Sequence, residues 1–78
     1  MINVTIGVPN NRFEKLVSED RTIKSVLDEY APGYERATNY LDGCPITAET
    51  MHKTFEELHI TEACAIISVI KLDNAVTL

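Results

Sequence analysis

The cysteines and histidines of this 78-residue chain, the residue types of zinc sites and of thiol nucleophiles with their base, are four: Cys44, His52, His59 and Cys64. Their order, C-x7-H-x6-H-x4-C, fits none of the common zinc spacings, in which ligands come in close pairs. A cysteine nucleophile needs a neighbour that lowers its thiol pKa, and no local pattern here supplies one. The carboxylates Glu49, Glu56, Glu57 and Glu62 form no fixed pair suited to acid–base work and read as a solvated acidic face. His59, by its place between short elements, reads as a solvent-exposed turn residue. There is no phosphate-binding glycine loop. The chain is therefore expected to be no enzyme, with no catalytic residue, no metal site and no cofactor.

Composition narrows the field further. Hydrophobic residues make up 45% of the chain and charged ones 24%, the balance of a sequence that buries a core. The length suits one domain, with the fold expected over residues 1–72 and a short tail over 73–78. A net charge of −5 and a pI near 4.8 repel phosphate backbones and anionic lipid, so neither nucleic acid nor membrane is an expected partner. No apolar run is long enough to span a bilayer, and Met1-Ile2-Asn3-Val4 lacks the basic start of a signal peptide. A cytoplasmic location follows, with Cys44 and Cys64 as free thiols.

The elements that would carry any site can be placed from pattern. Ile2, Val4, Ile6 and Val8 alternate with Asn3, Thr5 and Gly7, the period of a strand with one buried face. Pro9-Asn10-Asn11 is a turn signal, and Arg12 to Val17 returns as the second strand of a hairpin. Phe13, Leu16 and Val17 cannot all face one way in that strand without a bulge. Thr22 is a good helix N-cap, followed by Ile23, Val26, Leu27 and Tyr30 on one helical stripe. Pro32 and Gly33 stop this helix near Ala31, and Tyr34-Glu35-Arg36 forms a loop. Ala37 to Leu41 is a short strand ending in the turn dipeptide Asp42-Gly43, with Cys44-Pro45-Ile46 beyond it. Between Thr47 and Leu58 two helices compete, one from Ala48 and a shorter one from Phe55. The capping box Thr54-Phe55-Glu56-Glu57 favours the shorter, with Phe55 as its anchor. Ala65 to Leu72 is rich in β-branched residues and apolar on both faces, which marks a central strand. Hairpin, helix, strand, short helix and long strand make an α+β mixed sheet with one helix across a face.

These pieces resemble the ubiquitin-like β-grasp family over nearly the whole chain. The matching residues are Thr22-Ile23 with Val26 at the helix start, Leu41-Asp42-Gly43 with Pro45-Ile46 after the third strand, and Thr54 to Ile60 leading into Ile66 to Leu72. The resemblance implies a ubiquitin-like β-grasp fold. Members that are conjugated to targets, or that carry sulfur, expose a Gly-Gly terminus, whereas no glycine follows Gly43 here. Cys44 stands where ubiquitin has a chain-linking lysine. The resemblance with these departures implies a non-conjugating module, similar to the small ubiquitin-like components without Gly-Gly found with bacterial secretion systems. The alternative is a degenerate or processed modifier or sulfur carrier.

The interaction surface implied by the resemblance is the open face of the sheet, at Val8, Tyr40, Gly43, Ile67 and Val69. Alternation along the last strand leads to the same face. If Ile66, Ser68, Ile70 and Leu72 face the helix, then Ala65, Ile67, Val69 and Lys71 face outward. An exposed apolar patch that includes a tyrosine marks a protein-binding surface. The expected partner is a protein of unknown identity, and the same face offers a route to a homodimer.

Overall fold

The computed structural model describes residues 1–70; the expected end of the last strand at Lys71-Leu72 and the tail over 73–78 lie outside them. Strand β1 (Ile2–Val8) sends Ile2, Val4 and Ile6 into the core and turns Asn3 and Thr5 outward. It pairs antiparallel with β2 (Asn11–Val17) through a turn at Pro9-Asn10, so Asn11 already belongs to the strand, opposite Val8.

The pairing runs unbroken from Ile2 opposite Val17 to Val8 opposite Asn11, and the expected bulge is absent. Leu16 is the reason. It takes an outer position and stays 65% exposed, so only Phe13 and Val17 of the apolar set share the inner face. The inner position between them belongs to Lys15, whose Nζ lies 5.9 Å from the Phe13 ring centroid and 5.7 Å from that of Tyr30. A lysine can lay its alkyl stem on apolar surface and keep its charge in water, here over two aromatic faces.

Helix α1 (Ile23–Tyr30) starts at Thr22, whose hydroxyl accepts the Ser25 N–H at 3.1 Å. Ile23, Val26 and Leu27 are its buried stripe. Its last hydrogen bond runs from the Ala31 N–H to the Leu27 carbonyl, and Pro32 follows, which cannot continue the ladder. Tyr34-Glu35-Arg36 forms a single 3₁₀ turn with Tyr34 buried in the core.

Strands β3 (Ala37–Leu41) and β4 (Cys44–Pro45) are joined by Asp42-Gly43. Both turn residues have positive φ, 51° and 87°, as the tight hairpin that matches strand twist requires; glycine takes that conformation without strain. Asp42 also ties the turn to its neighbour, since its N–H donates to the Ala65 carbonyl and its Oδ1 accepts the Ala65 N–H at 2.9 Å. Strand β5 (Ala63–Ile70) begins two residues before the expected Ala65 and runs through the middle of the sheet, parallel to β1 and antiparallel to β3. The strand order is β2-β1-β5-β3-β4, a mixed sheet with α1 packed across one face.

The segment after β4 departs from expectation. The helical turn is α2 (Ala48–Met51), capped by Thr47, whose hydroxyl accepts the Thr50 N–H. The capping box exists at Thr54: the Thr54 N–H donates to Glu57 Oε1 at 2.9 Å and the Glu57 N–H donates to Thr54 Oγ1 at 3.0 Å. It does not start a helix, because a helix terminator follows at once. His59 has φ 61°, the Ile60 N–H donates to the Phe55 carbonyl, and the His59 N–H donates to the Glu56 carbonyl. That is a Schellman stop closing one turn after the cap. Phe55 is fully buried and anchors the turn under α1 and the sheet, with Ile2, Ile6, Ile23, Leu27 and Ile66 among the other large core residues.

Candidate functional site

Residues that could do covalent or metal chemistry are not gathered. Cys44 is exposed in β4, Cys64 is buried in β5, and His52 and His59 are both exposed. Among the described residues no group of three or more His, Cys, Asp or Glu is placed to hold a metal ion. Burial, and after it the Asp42 carboxylate, push the Cys64 thiol up to about 11, which suppresses the reactive thiolate. No described helix is long and apolar enough to cross a membrane.

The outer face of the sheet is different in kind. Tyr40 of β3 lies directly opposite Ile67 of β5, and Thr38 lies opposite Val69. Tyr40, Ile67 and Val69 thus share one face, and Val69 is 49% exposed. On the other side of β5, Ile67 is in register with Gly7 of β1. A Cβ at Gly7 would stand 2.7 Å from Ile67 Cδ1 and 3.7 Å from Arg12 Nε. The missing side chain lets Ile67 lie flat over β1 while Arg12 closes in from β2. Here glycine provides room for close approach within a strand.

The result is a groove of about 580 Å³ across the end of the sheet. Gly7, Pro9 and Arg12 line one side and Ile67, Val69 and Ile70 the other. Its walls are mostly hydrocarbon, and Arg12 supplies the formal charge at the rim. Ile70 departs from the expected inward role. It falls on the helix side by alternation, yet it is 52% exposed at the strand's end.

The five residues named from sequence do not all meet. Tyr40, Ile67 and Val69 are brought together on the face, and Gly43 stands exposed in the turn beyond Tyr40. Val8 belongs to the other side. It continues the inward series Ile2, Val4, Ile6 and packs against the core, reaching the groove only at its rim. The outward residue beside Ile67 is Gly7. Gly7, Pro9, Arg12 and Ile70 were not legible as site residues, though a glycine at an outward strand position is itself a signal of close approach.

One inward feature fixes this face. Asn39 and Ser68, the strand neighbours of Tyr40 and Ile67, lie opposite each other and are buried. The Ser68 hydroxyl donates to Asn39 Oδ1 at 2.7 Å, and Asn39 Nδ2 donates to the Tyr34 carbonyl at 3.0 Å. This satisfied polar pair holds β3 and β5 in the register that turns Tyr40 and Ile67 outward together.

Solved structures match this architecture over almost its whole length. The solution NMR structure of the ubiquitin-like domain of the Arabidopsis thaliana protein At2g32350 gives a TM-score of 0.70 at 23% identity, covering 99% of this chain and 84% of that one. The chain has the ubiquitin-like fold. A second NMR structure of that Arabidopsis protein, combining evolutionary couplings with sparse data, gives a TM-score of 0.68 at 23% identity over 99% and 94% of the two chains. At this identity the likeness carries the ubiquitin-like fold alone. No protein-family model and no curated protein matches the chain.

Proposed function

We propose that this ubiquitin-like domain is a non-enzymatic interaction module that docks a protein partner on the outer face of its sheet. The observation that carries the reading is the groove at Gly7, where Ile67 and Val69 present β-branched hydrocarbon beside Tyr40. Exposed apolar surface next to an amphipathic aromatic is the composition of an interface centre. The occupant is a protein segment that seats a branched or aromatic side chain between Ile67 and Pro9. The residue it presents to Arg12 is acidic or uncharged, because a basic one would meet like charge. Tyr40 flanks the groove from β3, opposite Ile67.

The test has two stages. Comparative capture with the wild-type chain and with a Tyr40→Ala/Val69→Asp variant from the source cell's extract identifies a partner that the variant loses, with amide spectra confirming that the variant is folded. Titration of the labelled chain with that partner then locates the contact. Shift changes centred on Gly7, Tyr40, Ile67 and Val69 support the reading. Changes confined to α1 or to α2, or equal binding by a folded variant, overturn it.

A further inference from the structure

Among the described residues the sheet has a second unpartnered feature, at its edge. Strand β2 is its outermost strand on one side, and seven residues long. In a hairpin closed by a two-residue turn, the residues flanking the turn exchange hydrogen bonds, and every second residue outward does the same. Asn11, Phe13, Lys15 and Val17 therefore bond to β1, and the backbone groups of Arg12, Glu14 and Leu16 point off the sheet. The Arg12 N–H is indeed turned away from β1, where it donates to the Asn11 side-chain oxygen at 2.9 Å. An edge of this length is a template for another strand.

We propose that the occupant of this edge is a second copy of the chain, paired β2 to β2 antiparallel in one register: Arg12 opposite Glu14 of the second copy, and Phe13 opposite Phe13. The charge sequence selects it. Antiparallel self-pairing that keeps helix side on helix side must place a two-fold axis on one residue of β2. An axis at Arg12, Glu14 or Lys15 sets that charge against its own copy, which is repulsive. An axis at Leu16 leaves only Leu16 to pair through the outward backbone groups. The axis at Phe13 alone creates opposite-charge pairs, twice by symmetry, and each Arg12–Glu14 pair also exchanges two backbone hydrogen bonds.

Glu14 is placed for it, and Arg12 reaches it by a side-chain rotation. Arg12 and Glu14 are exposed on the outer face. One oxygen of Glu14 accepts the Asn3 amide at 3.1 Å, which holds the carboxylate on that face and leaves its other oxygen for a guanidinium. The flexible Arg12 side chain turns from Gly7 to the seam, and the exposed Asn11 amide releases the Arg12 N–H to it. On the helix side, Phe13 is half-buried with its ring edge-on to Tyr30 at 6.2 Å, so the seam brings two such aromatic pairs together. A two-fold axis normal to the sheet puts both outer faces on the same side of the dimer. This pairing does not rest on the docking reading, but the two share Arg12, whose side chain lines the groove or meets the seam and not both at once.

The experiment is sedimentation of the full chain from micromolar to millimolar concentration at low salt, with Arg12→Glu, Glu14→Arg and the double exchange. The wild-type chain is expected to dimerise, less so as salt is raised. Each single reversal sets like charges opposite each other twice and weakens association by roughly tenfold or more. The double exchange restores it, and the two single variants mixed together associate better than either alone. Rising hydrogen-exchange protection of the Arg12 and Glu14 amides with concentration places the seam and reports on folding of each variant. A wild-type chain that stays monomeric at millimolar concentration overturns the proposal. So does a dimer indifferent to the reversals, or a folded double exchange that fails to recover.

Discussion

Replacing Ser68 by alanine probes the register on which the whole outer face depends. Asn39 and Ser68 face each other across β3 and β5, both buried, and are joined by a 2.7 Å hydrogen bond from the serine hydroxyl. Because side chains alternate, a one-residue slip of β3 would carry Tyr40 inward and Asn39 out. Ser68→Ala leaves Asn39 Oδ1 buried with no donor, a loss on the order of 1–3 kcal/mol. For a domain of this size each kcal/mol lowers the thermal midpoint by roughly 4–8 °C. Asn39→Ala costs more, since it strands the Ser68 hydroxyl and leaves a cavity, while the Tyr34 carbonyl keeps the Ala37 N–H. Both changes break the same bond, so the double variant should lose less than the sum of the singles, by about 1 kcal/mol. Urea titration of the four proteins measures this directly. Ser68→Ala as stable as wild type, or singles that add to within about 0.3 kcal/mol, would show that the pair is not coupled and would refute its role in fixing register.

Two further outcomes are expected. Gly7→Ala meets the tip of a flexible side chain, Ile67 Cδ1. The cost of displacing that rotamer, about 0.5–1.5 kcal/mol, is therefore offset by the lower entropy of the unfolded chain, about 0.4–1 kcal/mol. Stability should stay within about 1 kcal/mol of wild type while the Ile67 methyl resonances move; a loss beyond about 3 kcal/mol would mean that Ile67 has no other place to go. Cys64 should resist alkylation at pH 8, because raising its thiol from 9.0 to about 11 makes thiolate roughly a hundredfold scarcer, so the folded chain takes one label, at Cys44. The same shift means that the folded state keeps a proton the unfolded state has lost, so stability declines as pH rises from 9.0 towards about 11. Rapid labelling of both cysteines would contradict the burial of Cys64.

Most of the architecture was legible because it follows from period and punctuation. The alternation of Ile2, Val4 and Ile6 set β1, the stripe Ile23, Val26, Leu27 under a Thr22 cap set α1, and Asp42-Gly43 set a hairpin. The misreadings have separate causes. Phe13, Leu16 and Val17 were expected to need a bulge to share a face; the sheet instead leaves Leu16 outside and takes Lys15 inside, because an unbroken ladder costs less than a bulge when lysine can cover aromatic rings with its stem. The Thr54 capping box was taken to begin a helix, and its geometry is present in full. What ends it is His59 in the left-handed region, and histidine carries only a weak local signal for that conformation. At the site, Ile67 and Val69 follow from strand parity and Tyr40 from the family resemblance, but Arg12 and Gly7 depend on which strands are neighbours, which no single segment encodes.

The apolar outer face also asks why these residues are tolerated at all. β-branched side chains favour strands whatever they touch, so Ile67 and Val69 have an innocent explanation in local propensity alone. Threonine supplies that propensity equally and leaves a hydroxyl to the solvent. This sheet uses it on the same face, at Thr5 of β1 and at Thr38 directly opposite Val69. Propensity therefore accounts for branching at these positions but not for the choice of hydrocarbon over hydroxyl. Gly7 sharpens the contrast, because glycine is among the poorest strand residues, and its use beside Ile67 weakens β1 where the groove deepens. Local stability favours neither choice, whereas a seat for a partner's side chain makes use of both.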